Sequence, residues 1–268
     1  MSDPAAHHED LPARPPKLPS ERDWARAAVL EPRPAPRHPQ LISDGAGLPF
    51  ALSALAGPPA PLDPQDAAVA GLLAYLNERA TPKRAARAPW KRGAPPPSPP
   101  AAPVSLEGWR ELVRTDDEVL FAHGLPPQLA MVTLKQRSHR RAWTVAGSSV
   151  PRSLRATRDG IRASSWRPDP TRELTEADSE LRLLVTEQAF ASGQSADGRV
   201  LVPDIYEDDG EVVLRVFVSP RPGGFQTGTR NPETPVRIAL PRALGPRLLL
   251  DGAIAYAAPV EAAEPDQE

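Results

Sequence analysis

Residues 211–219 read EVVLRVFVS, which is the clearest strand pattern in the chain. Side chains alternate between the two faces of a β-strand, so one face of this segment carries only aliphatic residues. These are Val212, Leu214, Val216 and Val218, while the other face carries Val213, Arg215 and Phe217. The preceding Asp208-Asp209-Gly210 is typical of a tight hairpin turn, so we expect a second strand just before it.

Segments of the same kind recur from Leu106 onward, separated by Gly, Pro and Asp. The predicted strands are Trp109–Arg114, Glu118–Ala122, Leu129–Gln136, Arg141–Val145, Ile161–Arg167, Leu181–Glu187, Val200–Tyr206, Glu211–Ser219, Thr234–Leu240 and Leu248–Tyr256. No helical stripe interrupts them, and about 150 residues are enough to bury one core. We therefore predict a mainly β domain over residues 104–258, folded as an antiparallel β-sandwich or flattened barrel, with a disordered tail at residues 259–268.

Proline is concentrated before this domain. The chain has 36 prolines, and 22 of them lie in residues 1–104. Proline fixes φ and removes an N–H donor, so such a segment cannot sustain long helices or paired strands. Residues 1–62 are therefore predicted to be a disordered arm, and residues 81–103 a basic, proline-rich linker. Within the arm, Glu21–Leu30 predicts a short helix whose Trp24 is available to dock on the domain.

One short amphipathic helix is predicted between the arm and the linker, over residues 63–80. Asp63 is a candidate N-cap residue, Pro64 suits the first helical position, and Thr81-Pro82 would end the helix. Its apolar stripe has helical spacing and consists of Val69, Leu72, Leu73 and Leu76. Such a stripe needs a partner surface, either the β domain or another protein, so these four residues are candidate partner-binding residues.

The linker is strongly basic and contains one aromatic residue. Its candidate anion-binding residues follow Arg79 and are Lys83, Arg84, Arg87, Trp90, Lys91 and Arg92. Cations at this density can bind a phosphate backbone or an anionic surface, with the tryptophan stacking on a base. The alternative is a solvated linker that repels itself and stays extended.

The overall composition argues against several classes of protein. The net charge is −2, so the chain lacks the basic excess of a dedicated nucleic-acid-binding domain. It has no cysteine, which removes disulfides, thiolate metal ligands and a cysteine nucleophile, and which fits a reducing compartment. No apolar segment is long enough to span a bilayer. We expect a cytoplasmic protein with no cofactor and no membrane span.

Catalytic motifs are absent from the sequence. There is no G-x-S-x-G, and the five histidines do not form a metal-binding pattern. The carboxylates crowded around one hairpin miss the EF-hand spacing and favour a solvated acidic turn; they are Asp204, Glu207, Asp208, Asp209 and Glu211. Glu187 is the carboxylate to examine first for glycosidase-like chemistry, although an ion pair at a strand end is the favoured interpretation.

Residues Thr186–Ala253 carry a set of short motifs. They include Glu187-Gln188-Ala189-Phe190-Ala191-Ser192-Gly193, Gly198-Arg199-Val200, Pro222-Gly223-Gly224-Phe225, Asn231-Pro232-Glu233-Thr234-Pro235-Val236, Leu244-Gly245-Pro246-Arg247 and Leu250-Asp251-Gly252. This segment, about a quarter of the chain, resembles the C-terminal module of uncharacterised actinobacterial proteins, some of them exported. The resemblance implies cysteines near Phe190 and Gly228, which this chain lacks, and it implies no assigned activity and no catalytic residues.

The function predicted from the sequence is that of a non-catalytic interaction module. The β domain would supply a binding surface, and the arm would recruit a partner, which we expect to be another protein. One alternative is a hydrolase-type enzyme with a carboxylate-based site in the β domain, so whether the chain is an enzyme stays open. The other alternative is weak binding of nucleic acid or an anionic surface through the basic linker.

Overall fold

The computed structural model of this chain describes residues 18–45, 47–80, 104–124, 129–136, 142–149, 154–224, 226–228, 230–254 and 258–259. Its helices are α1 (Glu21–Arg26), a 3-10 helix (Leu52–Leu55) and α2 (Ala67–Ala80). Its strands are β1 (Val29–Leu30), β2 (Arg33–Pro34), β3 (Leu41–Ser43), β4 (Phe50–Ala51), β5 (Trp109–Arg114), β6 (Glu118–His123), β7 (Ala130–Gln136), β8 (Trp143–Ser149), β9 (Arg155–Arg158), β10 (Ile161–Arg162), β11 (Ser165–Pro168), β12 (Glu180–Thr186), β13 (Asp204–Glu207), β14 (Glu211–Arg215), β15 (Thr234–Ala239), β16 (Leu248–Asp251) and β17 (Ala258–Pro259). The described structure is mainly β, as the sequence predicts.

The strands form four open sheets. The meander sheet has the order β5-β6-β7-β8 and is antiparallel throughout. The β12 sheet has the order β1-β15-β12-β11, the β14 sheet has the order β17-β16-β14-β13-β2, and the β9 sheet has the order β10-β9-β3-β4. None of these four sheets closes into a barrel, so the predicted flattened barrel is not the form that the described residues adopt.

The inner strands of the meander sheet are covered on both faces, because they are apolar on both faces. In β6, Val119 and Phe121 belong to a buried cluster that they share with α2. Leu120 and Ala122, which alternate with them, belong to a second cluster that contains Phe50 from β4. The alternation of side chains along a strand thus divides β6 between two hydrophobic cores.

Helix α2 begins four residues later than the sequence predicts. Its N-cap is Asp66, whose Oδ1 accepts hydrogen bonds from the N–H groups of Ala68 and Val69 at 2.8 and 3.0 Å. Asp63 instead caps a separate turn by accepting a hydrogen bond from the N–H of Gln65 at 2.9 Å. The predicted start is wrong because two aspartates three residues apart each cap one turn, and only the second turn continues as a helix.

The β12 and β14 sheets share one hydrophobic core. Its fully buried members include Leu181 and Leu183 from the β12 sheet and Val212 and Leu214 from the β14 sheet. The four aliphatic side chains at alternate positions of residues 211–219 all lie in this core, as predicted.

Each predicted strand of the β domain overlaps an observed one, and Trp109–Arg114 has the same bounds. The predicted strand Ile161–Arg167 is divided into β10 and β11, because the two residues between them pair with the segment after β14. Ala163 forms a β-bridge with Phe217, and the N–H of Ser164 donates a hydrogen bond to the carbonyl of Val216 at 2.8 Å. Strand β9 is missed, since its sequence, RATR, has no aliphatic alternation.

The structure differs most from the sequence prediction before α2. The disordered arm predicted for residues 1–62 is wrong for residues 18–45 and 47–62, which pack against the β domain. Strand β1 pairs parallel with β15, β2 pairs parallel with β13, and β3 pairs antiparallel with β9. Trp24 from the predicted short helix is only 1% exposed, and Ile42 is fully buried. Proline permits this packing because β1 and β2 are two-residue edge strands, which make few ladder hydrogen bonds.

Arginines hold residues 28–43, here called the strap, in place. Arg33 Nε donates a hydrogen bond to Asp204 Oδ1 at 2.6 Å, and Arg37 pairs with both carboxylate oxygens of Glu211. Arg215, which is 2% exposed, donates from β14 to the backbone carbonyl of Arg37 and to that of the preceding proline. The strap is therefore fixed both by its own cations and by a cation of the sheet beneath it.

Candidate functional site

Glu187, the carboxylate singled out from the sequence, forms a structural ion pair. It is 5% exposed, and its two oxygens accept hydrogen bonds from Arg199 at 2.9 and 2.5 Å. Arg199 also donates to the carbonyls of Ser195 and Ser219 at 3.1 and 2.8 Å, and its hydrogen bond to Glu187 raises its pKa above the ordinary arginine value. A carboxylate bound on both oxygens is not placed to act as a general base.

The carboxylates around the β13–β14 hairpin are bound to arginines and to backbone rather than gathered around a metal. Asp204 also accepts a hydrogen bond from Arg158 at 2.6 Å, and Glu207 accepts one from Arg247 at 2.6 Å. Asp208 accepts hydrogen bonds from two N–H groups of its own turn at 2.8 and 2.9 Å, and these bonds lower its pKa. Across the residues that the structure describes, no group of three or more His, Cys, Asp or Glu side chains is arranged to hold a metal ion.

Two deeply buried arginines lie where β9, β14 and β16 meet. Arg155 and Arg215 are 5% and 2% exposed, and burial lowers the pKa of both, against the attraction of Asp251. Burial likewise raises the pKa of Asp251, whose Oδ1 accepts a hydrogen bond from the N–H of Ala253 at 2.8 Å. Arg155 Nη2 donates to Ser165 Oγ at 2.6 Å. The carboxylate of Asp251 offsets the buried positive charges of Arg155 and Arg215, which is a structural role.

Clefts of about 750, 460 and 310 Å³ open between the described residues. In the largest, Glu233 accepts two hydrogen bonds from Arg167, both at 2.7 Å. In the second, Glu111 is paired with Arg114 at 2.6 Å, and the smallest contains Glu187. None of these three clefts brings two buried carboxylates together, which is the arrangement that a carboxylate-based hydrolase requires.

The apolar stripe of α2 packs against its own chain. Val69 and Leu72 are 2% and 0% exposed in the cluster that α2 shares with the meander sheet. Leu76 is half-buried against the same cluster, and Leu73 is half-buried outside it. The candidate partner-binding role is therefore wrong for Val69 and Leu72, because the apolar face of the meander sheet covers them. Of the two partner surfaces that the sequence left open, the described structure uses the β domain.

The basic linker lies outside the described residues. This applies to all six of its candidate anion-binding residues, which are Lys83, Arg84, Arg87, Trp90, Lys91 and Arg92. Anion binding by the linker therefore stays a prediction.

The sheets of this fold differ in how their edges are protected. An edge strand presents N–H and C=O groups without partners, and proteins protect such edges with short strands, proline, charge or a covering segment. In the β12, β14 and β9 sheets every described edge strand has two to four residues; these strands are β1, β2, β4, β10, β11 and β17. Three of them contain a proline, namely Pro34, Pro168 and Pro259.

One edge of the meander sheet is protected as well. Strand β5 carries Arg110, Glu111 and Arg114, and a bulge interrupts its pairing between Glu111 and Val113. Arg110 Nη1 donates a hydrogen bond to the carbonyl of Leu55 at 3.0 Å, which brings the 3-10 helix against this strand. Charge, irregular pairing and a covering segment thus all act at β5.

The opposite edge of the meander sheet is β8, seven residues long, with neither a charged residue nor a proline. Among the described residues it pairs with β7 alone. Thr144, Val145 and Ala146 are exposed in succession, and a Cβ atom added to Gly147 would meet no atom within 4 Å. A bulge near Ala146 bends the strand, but the strand itself contains no charged residue, and no other strand in the described part of the chain covers its outer edge. This edge is the candidate functional site.

The sequence analysis did not single out β8, because whether a strand lies at an edge depends on which strands pair. A usable signal was present in the sequence, since an uncharged segment of strand-forming length follows directly after the basic residues 135–141.

No protein-family model, curated protein or solved structure matches this chain. The resemblance of residues 186–253 to actinobacterial modules therefore stays a prediction. No helix in the described part of the chain is long and apolar enough to cross a membrane.

Proposed function

We propose that this protein is a non-catalytic interaction module, which binds an extended segment of another protein by adding it to the meander sheet as a strand beside β8. The observation that carries the proposal is the contrast between this edge and the seven other described sheet edges, each of which is short or charged and covered. A long, uncharged edge favours aggregation unless a partner occupies it. Strand addition would satisfy its backbone groups and give the partner affinity through main-chain hydrogen bonds.

The packing around the meander sheet supports this role. Both faces of the inner strands β6 and β7 are buried, one against α2 and one against β4 and the 3-10 helix. In the neighbouring strand β7, Val132 and Leu134 are 3% and 0% exposed. An added strand would therefore meet a template whose geometry is already fixed, which reduces the conformational entropy lost on binding.

The other half of the fold would serve as a support. We infer that the β12 and β14 sheets stack as a β-sandwich, because one hydrophobic core draws its side chains from both sheets. The arm predicted to recruit a partner is in large part packed on this half, which moves the expected binding surface from the arm to the β8 edge.

The test begins with a random peptide library displayed on phage, which is selected against the immobilised full chain. Hydrogen exchange of the protein is then measured with and without a recovered peptide. Strand pairing shields outward N–H groups from water, so we expect slower exchange at Trp143–Ser149 than in the unbound protein. If no recovered peptide slows exchange in these seven residues, the proposal is contradicted.

Proline at the edge provides the matched variants, Thr144→Pro and Val145→Pro. Adjacent N–H groups of a strand point alternately to β7 and outward, so one of the two substitutions removes an outward donor and keeps the pairing with β7. The variant that retains the wild-type thermal unfolding midpoint should bind the peptide at least about tenfold more weakly than the wild type. Phe190→Ser, which removes a 65% exposed aromatic ring from another surface, should bind normally. Unchanged binding by the folded proline variant would exclude β8 as the site.

A further inference from the structure

We infer that the segment bound at β8 is acidic, an inference that rests on the proposed function. Its basis is the distribution of charge along the chain, combined with the way α2 packs on the meander sheet.

The sequence around β8 has positive charge and no negative charge. Between Glu118 and Asp159 lie seven Lys or Arg residues and no Asp or Glu, and β8 falls inside this interval. Residues 79–106 likewise carry six Lys or Arg residues and no acidic residue. The rest of the chain contains the other 19 of the 32 Lys and Arg residues and all 34 Asp and Glu residues. A chain with a net charge of only −2 is therefore strongly segregated in charge.

Helix α2 brings Arg79, the first residue of the second basic stretch, to the part of the meander sheet where β8 begins. Tyr75 and Leu76 pack in one cluster with Trp143, the first residue of β8. One turn earlier in the helix, a Cβ atom added to Gly71 would lie 3.1 Å from the Cβ of Trp143. The guanidinium of Arg79, where the second basic stretch begins, lies 5.7 Å from the centre of the Tyr75 ring.

Some of the cations in the first stretch are neutralised within the fold. Arg158 pairs with Asp204 at 2.6 Å, and Lys135 pairs with Glu118 at 2.8 Å. The sequence places further cations directly beside the strand, and these are Arg137, Arg140 and Arg141 before it and Arg152 after it. The charge next to β8 is thus positive on both sides of the strand in the sequence.

This charge discriminates between the possible occupants of the edge. A second copy of the chain would bring like charges together, which opposes pairing of β8 with itself. Nucleic acid would be attracted by the same charge, but it has no peptide backbone that can extend a β-sheet. An extended peptide rich in Asp or Glu matches both the edge and the charge.

The experiment uses peptides recovered from the library selection. Each peptide is compared with a copy in which every Asp and Glu is replaced by Asn and Gln, and both are titrated into the full chain by calorimetry at about 50 and about 500 mM NaCl. We expect the recovered pool to be enriched in Asp and Glu, and the amide copies to bind about tenfold more weakly at low salt. The difference should shrink at high salt, because ions screen exposed charges.

The outcomes separate this inference from the proposed function. Peptides that slow exchange at Trp143–Ser149 without enrichment in acidic residues would overturn the inference and leave the proposed function standing. If no peptide protects these residues, both fail. Protection that grows with protein concentration alone would assign the edge to a second copy. A single-stranded oligonucleotide that binds the folded proline variant as well as the wild type, while acidic peptides do not bind, would assign the basic surface to nucleic acid.

Discussion

Strands β13 and β15, like β8, would have unpaired backbone groups at the edge of a sheet, but in the part of the chain that the structure describes these two strands are covered and β8 is not. Without the strap, β13 and β15 would each be the edge of a sheet, and the strap covers them with β2 and β1. Strand β8 has no such cover among the described residues. Within the described residues, the strap thus closes two edges with the chain's own backbone, while β8 is left as a long open edge. In this part of the chain, a long edge without cover is a property of the meander sheet and not of the fold in general.

The closed edges depend on side-chain anchors more than on strand pairing. The strap makes few backbone hydrogen bonds to the sheets, such as those from the N–H of Arg33 to the carbonyl of Pro203 at 2.8 Å and from the N–H of Ala35 to the carbonyl of Ile205 at 2.8 Å. Trp24, just before the strap, and Ile42, near its end, are both buried. Burial of such large side chains can offset the entropy lost when a proline-rich segment is ordered.

The substitution with the largest expected effect tests whether the covered edges contribute to the stability of the fold. We expect Trp24→Ala to lower the free energy of unfolding by about 3 to 5 kcal/mol, because it leaves a large cavity beneath α1. Urea denaturation followed by circular dichroism measures the change. The control is Arg22→Ala on the exposed side of the same helix, which should stay within about 0.5 kcal/mol of the wild type. An equally small effect of both substitutions would mean that the strap is not held by its anchors.

Substitutions at two glycines compare the effect on stability in the covered region and at the open edge. A Cβ atom added to Gly252 would lie 2.6 Å from Val213 Cγ1 and 2.9 Å from the Cγ of Arg215, the arginine that holds the strap. Gly252→Ala should therefore cost about 1 to 3 kcal/mol. Gly147→Ala in β8 meets open space and should be neutral or slightly stabilising. Thermal unfolding of both variants measures the contrast, and equal losses would contradict the exposure of β8.

The smallest expected effect concerns the helix that covers the meander sheet. Burial raises the pKa of Asp66, but hydrogen bonds from the N–H of Val69 and from Arg114 outweigh burial and lower it below the ordinary value. Its charge therefore stabilises the fold above the pKa of an unfolded aspartate, and this contribution is lost as the pH falls through the lower folded-state pKa. Asp66→Asn retains a capping side chain and should cost about 0.5 to 1 kcal/mol near neutral pH.

The measurement for this variant is urea denaturation at neutral and at acid pH. The difference between Asp66→Asn and the wild type should disappear at acid pH, where both side chains are uncharged. Asp209→Asn removes the charge of a fully exposed carboxylate and should change stability little at either pH. A difference for Asp66→Asn that persists in acid would attribute its effect to packing rather than to charge.

The sequence predicts those parts of the fold whose signal is local. The alternation in residues 211–219 and the stripe of α2 both find their partners because each presents a continuous apolar face. The strap has no such signal, since its strands are only two or three residues long and its contacts are distant in sequence: Arg33 and Asp204 are 171 positions apart. The candidate site could not be predicted from local sequence for a similar reason. The residues of β8 are ordinary for a strand, and only the order of strands in the sheet shows that they lie at an edge.

The parallel pairing of β1 with β15 and of β2 with β13 has a consequence for how the chain is made. Synthesis proceeds from the N-terminus, so the strap leaves the ribosome long before the strands that receive it. The meander sheet, whose strands follow one another directly, can form while synthesis continues. During this interval Trp24 stays exposed to water, and the nascent chain offers chaperones an apolar, proline-rich segment until β15 has emerged.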